Sequence, residues 1–206
     1  MKENIYELYL VTDDKKLFGR DFFECIKESV SGGVTLVQLR EKESEGRIFY
    51  EKAVKLKKIL DEQNVPLIIN DRVDIALLVD AFGVHLGQKD IPVKEARRIL
   101  GKDKIIGATA NTVELAKKAE EEGADYIGAG ALFYTDTKDN TKSLSIEELK
   151  DIVNAVNIPV VAIGGINKDN AFKLENTGIK GIAVSSGIMG ENDIKKAAFE
   201  LKKFSF

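Results

Sequence analysis

The sequence predicts an α/β protein of the (β/α)8-barrel (TIM barrel) class, with residues 1–206 in a single domain. Eight short apolar segments alternate with charged segments of helical periodicity. The apolar segments read as near-continuous hydrophobic runs, which is typical of parallel strands covered on both faces. No abrupt change of composition divides the chain. Eight such units favour a closed barrel over the alternative, a doubly wound open sheet, which usually has fewer strands.

The predicted strands are segments of four or five residues. In chain order they cover residues 8–12, 35–39, 66–70, 83–86, 104–108, 126–129, 159–163 and 181–185. The predicted helices that follow them cover residues 21–31, 46–63, 73–79, a segment opened by Pro92, 112–122, 145–156, 168–177 and 193–203. Pro92 suits a first helical turn, because the N–H that proline lacks has no partner there.

The charges nearly cancel, with 31 basic and 34 acidic residues and a net charge of -3. No basic face for nucleic acid is therefore predicted. The polar amino terminus does not resemble a signal peptide, and no run of about 18 apolar residues could span a membrane. We expect a cytoplasmic protein without nucleic-acid or membrane partners. The single cysteine, Cys25, lies beside apolar residues at helical spacing and is predicted to pack in the core.

Polar side chains recur at the carboxyl ends of the predicted strands, which is where barrel enzymes place their catalytic residues. At the carboxyl end of the second strand, Gln38, Arg40 and Lys42 occupy alternate positions, so all three are expected to point toward the barrel mouth. Two cations and an amide at that position suit an anionic ligand. A solvated run of charges is the alternative interpretation.

Two aspartates follow neighbouring strands, Asp71 after the third and Asp90 after the fourth. Magnesium typically takes one or two protein carboxylates and completes its shell with phosphate oxygens and water. The pair therefore predicts a magnesium site on the rim. Helix capping by Asp71 and a turn role for Asp90 are the alternatives.

Small residues follow the last two strands, Gly164 and Gly165 after the seventh, and Ser185 and Ser186 after the eighth. Barrels often bind phosphate in these two loops, because glycine lets the backbone approach the ligand. A tight turn is the alternative for the glycine pair. The connection after the sixth strand, residues 133–143, is the longest and is rich in hydroxyls. It suits a lid over a substrate, and a segment without function is the alternative.

The only histidine, His85, lies inside an apolar strand. A hydrogen-bonded core imidazole is the preferred interpretation over a catalytic base. A single histidine also argues against a histidine-rich metal site and against a serine–histidine triad.

Six segments, taken in order, resemble the thiamine phosphate synthase family over essentially the whole chain. They are residues 9–13 (YLVTD), 38–42 (QLREK), 69–72 (INDR), 83–90 (GVHLGQKD), 135–138 (TDTK) and 162–166 (AIGGI). That family comprises transferases with two small-molecule substrates. They condense 4-amino-2-methyl-5-hydroxymethylpyrimidine diphosphate with 4-methyl-5-(2-hydroxyethyl)thiazole phosphate, giving thiamine phosphate and pyrophosphate. The resemblance also implies Mg2+ as the cofactor.

The resemblance assigns a role to each candidate position. Gln38 would hold the pyrimidine, while Asp71 and Asp90 would hold magnesium. The residues expected to bind the diphosphate are Arg40, Lys42, Asn70, Thr109 and Lys138. Of these, the three cations Arg40, Lys42 and Lys138 are the candidate catalytic residues. The residues expected to contact the thiazole substrate are Thr135 and Thr137 from the loop, and Gly165, Ser185 and Ser186 at its phosphate.

The family's chemistry explains why these residue types are needed. Diphosphate can leave first, because the aminopyrimidine ring donates electrons to the carbocation that remains. The thiazole nitrogen then attacks that carbon, so neither a general base nor a covalent nucleophile is required. The protein's main task is to neutralise the negative charge that grows on the leaving oxygens.

The chain departs from the family pattern at three positions. Thr109 stands where serine is common and keeps the hydroxyl that can contact pyrophosphate. Asn111 stands where histidine is common, and Ala131 where proline is usual.

Three other functions are alternatives to the synthase. A thiazole tautomerase of the same barrel family tends to lack the lysine and the two aspartates, and it uses a histidine at position 111. This chain has Lys42, Asp71 and Asp90 and lacks that histidine, so all four positions favour the synthase. A phosphate-binding barrel isomerase or epimerase of a sugar phosphate would need an acid–base pair at the mouth. A barrel that only binds a thiamine precursor or a partner is the non-enzymatic alternative.

Overall fold

A computed structural model describes residues 4–134, 143–204 and 206. Its eight strands are all parallel, each pairs with the next in chain order, and β8 pairs with β1, so the barrel is closed. The strands are β1 Leu8–Val11, β2 Leu36–Leu39, β3 Leu67–Asn70, β4 Gly83–Leu86, β5 Ile105–Thr109, β6 Tyr126–Ala129, β7 Val160–Ile163 and β8 Gly181–Val184. The predicted (β/α)8 barrel is therefore confirmed, and each strand lies within one residue of its predicted bounds.

The helices over the described residues surround the barrel. They are α1 Phe22–Ser31, α2 Gly46–Glu62, α3 Val73–Leu78, α4 Val93–Leu100, α5 Val113–Glu121, α6 Ile146–Ala155, α7 Ser186–Met189 and α8 Ile194–Leu201. Several predicted starts were one residue early because they included the capping residue. Asp21 and Ser145, for example, accept hydrogen bonds from the backbone N–H three residues on. Pro92 likewise precedes α4 rather than lying in its first turn.

Two apolar layers form the core. Strand alternation sends Leu8 and Leu10 outward, to the layer between strands and helices, and Tyr9 and Val11 into the barrel. Cys25 is buried in the outer layer, as predicted. The interior layer ends below the carboxyl ends of the strands, where the polar residues begin.

The predicted helix over residues 168–177 is wrong, because this segment forms only a 3-10 turn at Ala171–Leu174. Polar side chains in this segment form hydrogen bonds with the backbone, where an α-helix would have hydrogen bonds between backbone groups. The Asn170 side chain accepts from the Asn167 N–H at 2.9 Å and donates to the Gly165 carbonyl at 2.9 Å. The Thr177 hydroxyl donates to the Leu174 carbonyl at 2.6 Å. Such bonds compete with helix formation.

The short helix α7, directly after β8, was not predicted. Its four residues are too few to show a helical period. No helix within the described part of the chain is long and apolar enough to cross a membrane.

Candidate active site at the barrel mouth

A cavity opens at the carboxyl ends of the strands. The ten predicted site residues that the structure describes all line it: Gln38, Arg40, Lys42, Asn70, Asp71, Asp90, Thr109, Gly165, Ser185 and Ser186. The other three, Thr135, Thr137 and Lys138, lie outside the described residues. Parallel strands end at one rim of a barrel, which explains how residues 148 positions apart can face one space.

The cations of the cavity follow β2. The Arg40 backbone N–H donates to the buried Thr12 hydroxyl at 3.0 Å, which ties the end of β2 to that of β1. The Lys42 ammonium lies 3.8 Å from the Asp71 carboxylate. Both cations line the cavity, so the alternation that predicted their direction is correct.

Glu41 lies between these two cations in sequence but is not among the residues lining the cavity. The Lys52 ammonium of α2 holds its carboxylate at 2.5 Å and also contacts Asp14 at 2.5 Å. The same ammonium lies 3.8 Å from the centre of the Phe22 ring. Lys52 was missed, because its place in α2 looks like that of any other helical lysine.

The two predicted metal ligands meet on the rim. Burial, followed by a hydrogen bond and charge repulsion from Asp90, raises the pKa of Asp71 to about 6, while Lys42 and Arg40 oppose this rise. Asp71 has a left-handed backbone with φ of 62°, which aspartate tolerates better than most residues. Two carboxyl groups in contact need a proton or a cation between them. Asp71 and Asp90 therefore suit a divalent cation.

Helix capping by Asp71 and a turn role for Asp90 were the alternatives to a metal site, and the structure contradicts the first and agrees with the second. Asp71 does not cap α3, since Arg72 occupies the N-cap position. Asp90 does form a turn, because its carboxylate accepts from the Gly87 N–H at 2.6 Å. Within residues 4–134, 143–204 and 206, no group of three or more His, Cys, Asp or Glu side chains forms a metal site. A divalent cation at this pair would have two carboxylate ligands and would take the others from a substrate and water.

The loops after β7 and β8 close the other side of the cavity. Gly165 has φ of 66°, and a Cβ on it would overlap the carbonyl oxygens of Phe133 and Tyr134. The glycine is therefore needed for the turn and for close packing of the backbone. The Ser185 hydroxyl oxygen is buried without a hydrogen-bond partner among the described residues. A buried polar atom of this kind is suited to bind a ligand.

The floor of the cavity is a series of hydrogen-bonded side chains. The Gln38 amide Nε2 donates to the Tyr9 hydroxyl at 2.6 Å, and the Tyr9 and Tyr126 hydroxyls lie 2.9 Å apart. His85 Nδ1 lies 2.9 Å from the Tyr126 hydroxyl, and its Nε2 lies 3.0 Å from the Thr109 hydroxyl. His85 is hydrogen-bonded, as predicted, but it is half-buried and lines the cavity rather than lying in the core.

Sequence reasoning missed the two tyrosines of this floor. Each lies in an apolar strand, where the alternation alone predicts a core aromatic residue. Two strand glycines were the available signal. A Cβ at Gly107 would overlap the Tyr126 ring, and one at Gly128 would lie 3.0 Å from the His85 ring.

The unusual Asn111 has a structural contact. Its side-chain oxygen accepts from the Gly130 N–H at 3.2 Å, which links the loop after β5 to the end of β6. Ala131, the other departure, is buried and lines the cavity.

A family model described as thiamine monophosphate synthase matches residues 8–188 of this chain. The thiamine-phosphate synthase of Clostridium tetani is 57% identical over 197 residues, covering 96% of this chain and 94% of that protein. The thiamine-phosphate synthase of Clostridium acetobutylicum is 56% identical over 198 residues, again covering 96% and 94%. The solved structure of a thiamine phosphate pyrophosphorylase from Pyrococcus furiosus has a TM-score of 0.89 at 44% identity, covering 97% of this chain and 95% of that one.

Proposed function

The chain belongs to the thiamine monophosphate synthase family, and from that premise we propose how its barrel mouth forms thiamine phosphate. The enzyme is a transferase that acts on two small molecules, the pyrimidine diphosphate and the thiazole phosphate. The observation that supports the assignment of roles is that ten predicted residues line one cavity. This cavity has a cationic part, a pair of carboxylates and a buried hydroxyl.

The pyrimidine diphosphate binds between the floor and the cations. Gln38, only 4% exposed, contacts the pyrimidine ring. Arg40 and Lys42 bind the diphosphate, because both are cations at the mouth. Two neutral groups, the buried Asn70 amide and the Thr109 hydroxyl, complete this part of the site.

Asp71 and Asp90 are the residues that would hold a magnesium ion. Their contact, and the pKa of Asp71 raised to about 6 by burial and by Asp90, support this assignment. Magnesium bound there would neutralise negative charge on the diphosphate as it leaves. Lys42, at 3.8 Å from Asp71, adds its own charge to the same region.

The thiazole phosphate binds at the opposite side of the cavity. The Ser185 hydroxyl, buried without a partner among the described residues, donates to a phosphate oxygen. Gly165 and Ser186 lie in the two loops where barrels commonly bind phosphate. Phosphate bound here would satisfy a hydroxyl that is otherwise costly to bury.

The reaction is dissociative. The carbon–oxygen bond to diphosphate breaks first, the electron pair leaves with the diphosphate oxygen, and the thiazole nitrogen then forms the new bond. Arg40 and Lys42 are already in place when this charge develops, so little reorganisation is needed. The cavity has no free imidazole for general-base catalysis, since both nitrogens of His85 are hydrogen-bonded.

The remaining assignments stay predictions. Thr135, Thr137 and Lys138 are expected to contact the substrates, on the resemblance alone. A cytoplasmic location is likewise a prediction. The tautomerase alternative is not favoured: its histidine is absent, and Asn111 bonds the backbone at that position.

Two variants test the placement of the substrates. Ser185→Ala should raise the KM for the thiazole phosphate about tenfold and leave that for the pyrimidine diphosphate unchanged. Arg40→Met should instead raise the KM for the pyrimidine diphosphate and leave that for the thiazole phosphate unchanged. Arg72→Met is the matched control, because Arg72 is near the mouth but pairs with Asp74 and does not line the cavity. Equal effects of Ser185→Ala on both KM values would show that the placement is wrong.

A further inference from the structure

The floor of the cavity joins five side chains in the order Gln38, Tyr9, Tyr126, His85 and Thr109. We propose that these hydrogen bonds all run in one direction and thereby fix which groups of Gln38 and Thr109 face the substrates. Tyr9, Tyr126 and His85 are then positioning residues for the reaction. This inference rests on the proposed function for the identity of the two substrates.

The direction follows from Gln38 at one end. Its Nε2 can only donate, and it donates to the Tyr9 hydroxyl at 2.6 Å. Tyr9 therefore accepts there and has one hydrogen left, which meets the Tyr126 oxygen at 2.9 Å. In the reverse direction, the Tyr9 hydrogen would have no acceptor among the described residues. That arrangement is costly for a side chain only 2% exposed.

The middle of the series then has one consistent protonation. Tyr126 donates to Nδ1 of His85 at 2.9 Å, so that nitrogen has no proton. The ring is neutral with its hydrogen on Nε2, which donates to the Thr109 hydroxyl at 3.0 Å. Burial raises the pKa of both tyrosines well above the usual value, so their hydroxyls remain donors.

The two ends then present complementary groups to the cavity. One of the two N–H groups of the Gln38 amide donates to Tyr9, which orients the amide, and its oxygen remains to accept a hydrogen bond from the 4-amino group of the pyrimidine. The Thr109 oxygen accepts from His85, so its own hydrogen is available to donate to a diphosphate oxygen. Hydrogen bonds in such a series polarise one another, which strengthens the outer contacts.

The neighbouring strands make room for these rings. Glycine inside a strand weakens it and often marks a close approach of another group. At Gly107 that group is the Tyr126 ring, and at Gly128 it is the His85 ring. Two strand positions therefore have no side chain, which leaves space for the rings of Tyr126 and His85.

The tautomer of His85 gives a direct test, because this is the only histidine of the chain. The full-length protein is labelled with 15N-histidine, and the two ring nitrogens are observed by NMR at about pH 7.5, above the ordinary histidine pKa. We expect Nε2 to carry the proton and Nδ1 to be bare. A proton on Nδ1, or on both nitrogens, would overturn the proposed direction. This measurement needs no substrate, so it is independent of whether the proposed function is correct.

Tyr126→Phe tests the consequence for substrate binding. Loss of this hydroxyl breaks the series in its middle, so His85 should change its tautomer balance, and kcat/KM for the pyrimidine diphosphate should fall about tenfold. The KM for the thiazole phosphate should change less than about twofold, since that substrate binds at the other side.

The matched control is Tyr6→Phe. The Tyr6 ring packs on that of Tyr126 with centroids 5.0 Å apart, but its hydroxyl is outside the series, so activity should be unchanged. If Tyr126→Phe does not fold, Tyr9→Phe serves in its place. Wild-type kinetics in the folded Tyr126→Phe variant would contradict the proposal. A wild-type protein that makes no thiamine phosphate would instead contradict the proposed function, with the NMR result still deciding the direction.

Discussion

Replacing Asp71 with asparagine should make the metal-free protein more stable at pH 8 while it lowers activity. Asparagine keeps the size of the side chain and tolerates the left-handed backbone at φ of 62°. The substitution removes one of two carboxyl groups that repel each other on the rim. A site built to bind a cation is destabilising when the cation is absent, and this variant relieves that cost.

The size of the gain follows from the pKa of Asp71. Burial first, and Asp90 second, raise it to about 6, against about 3.9 in an unfolded chain. The folded state therefore holds this proton more tightly, so wild-type stability falls as pH rises from about 4 to 6. A difference of about 2 in pKa corresponds to about 2.7 kcal/mol. Because the side chain is 27% exposed, solvent screening reduces this to about 1–2 kcal/mol.

The assay is thermal unfolding of both proteins in EDTA at pH 8 and at pH 4. At pH 8 the variant should melt about 3–6 °C higher, and at pH 4 the difference should vanish. With both substrates and magnesium, the same variant should lose about two orders of magnitude in rate, or about 2.7 kcal/mol of transition-state stabilisation.

Asp74→Asn is the matched control. A hydrogen bond from Arg72 lowers the pKa of Asp74, so this substitution removes a favourable contact and should give no gain at pH 8. Equal stability of wild type and Asp71→Asn at pH 8 would refute the raised pKa of Asp71, which burial and the Asp90 carboxyl group cause. Near-normal activity of Asp71→Asn would refute the assignment of the metal.

Three further predictions concern single side chains. In single-turnover kinetics, Lys138→Ala should slow bond breaking by about two to three orders of magnitude, with little change in the binding of the pyrimidine diphosphate. An unchanged rate would show that Lys138 is only a solvated charge of the loop. Thr109→Val should lower kcat/KM for the pyrimidine diphosphate about tenfold and Thr109→Ser should not, which steady-state kinetics can check; equal losses would exclude the hydroxyl as the cause. Lys52→Met should lower the free energy of unfolding in urea by about 3 kcal/mol, because it leaves the Glu41 carboxylate, whose side chain is 11% exposed, without its cationic partner. Lys52→Arg should recover most of that loss, and a Lys52→Met variant as stable as wild type would contradict the role of the ion pair.

The barrel could be predicted from the sequence because each strand is a short apolar run that is buried on both faces. The position of the cavity followed from the same pattern, since polar residues such as Gln38 and Asp71 come where those runs end. The absence of a helix between β7 and β8 could not be predicted in this way. It depends on hydrogen bonds from Asn170 and Thr177 to the backbone, and composition does not reveal these.

The hydrogen bonds of the cavity floor could not be predicted for a related reason. Tyr9 and Tyr126 lie 117 positions apart, and only the closure of the barrel brings their hydroxyls to 2.9 Å. Alternation predicts that each ring points inward, but not that it meets a polar partner. Lys52 is a similar case, because nothing in the helical sequence distinguishes it from Lys55 and Lys58, which are exposed.

We propose that this cavity joins two phosphorylated substrates with loss of diphosphate. The most direct measurement incubates the purified protein with the pyrimidine diphosphate, the thiazole phosphate and magnesium, and quantifies thiamine phosphate and pyrophosphate over time. We expect the two products to appear in equal amounts, and the thiazole phosphate alone to remain unchanged. Conversion of the thiazole phosphate by itself, or no release of pyrophosphate with both substrates present, would contradict it.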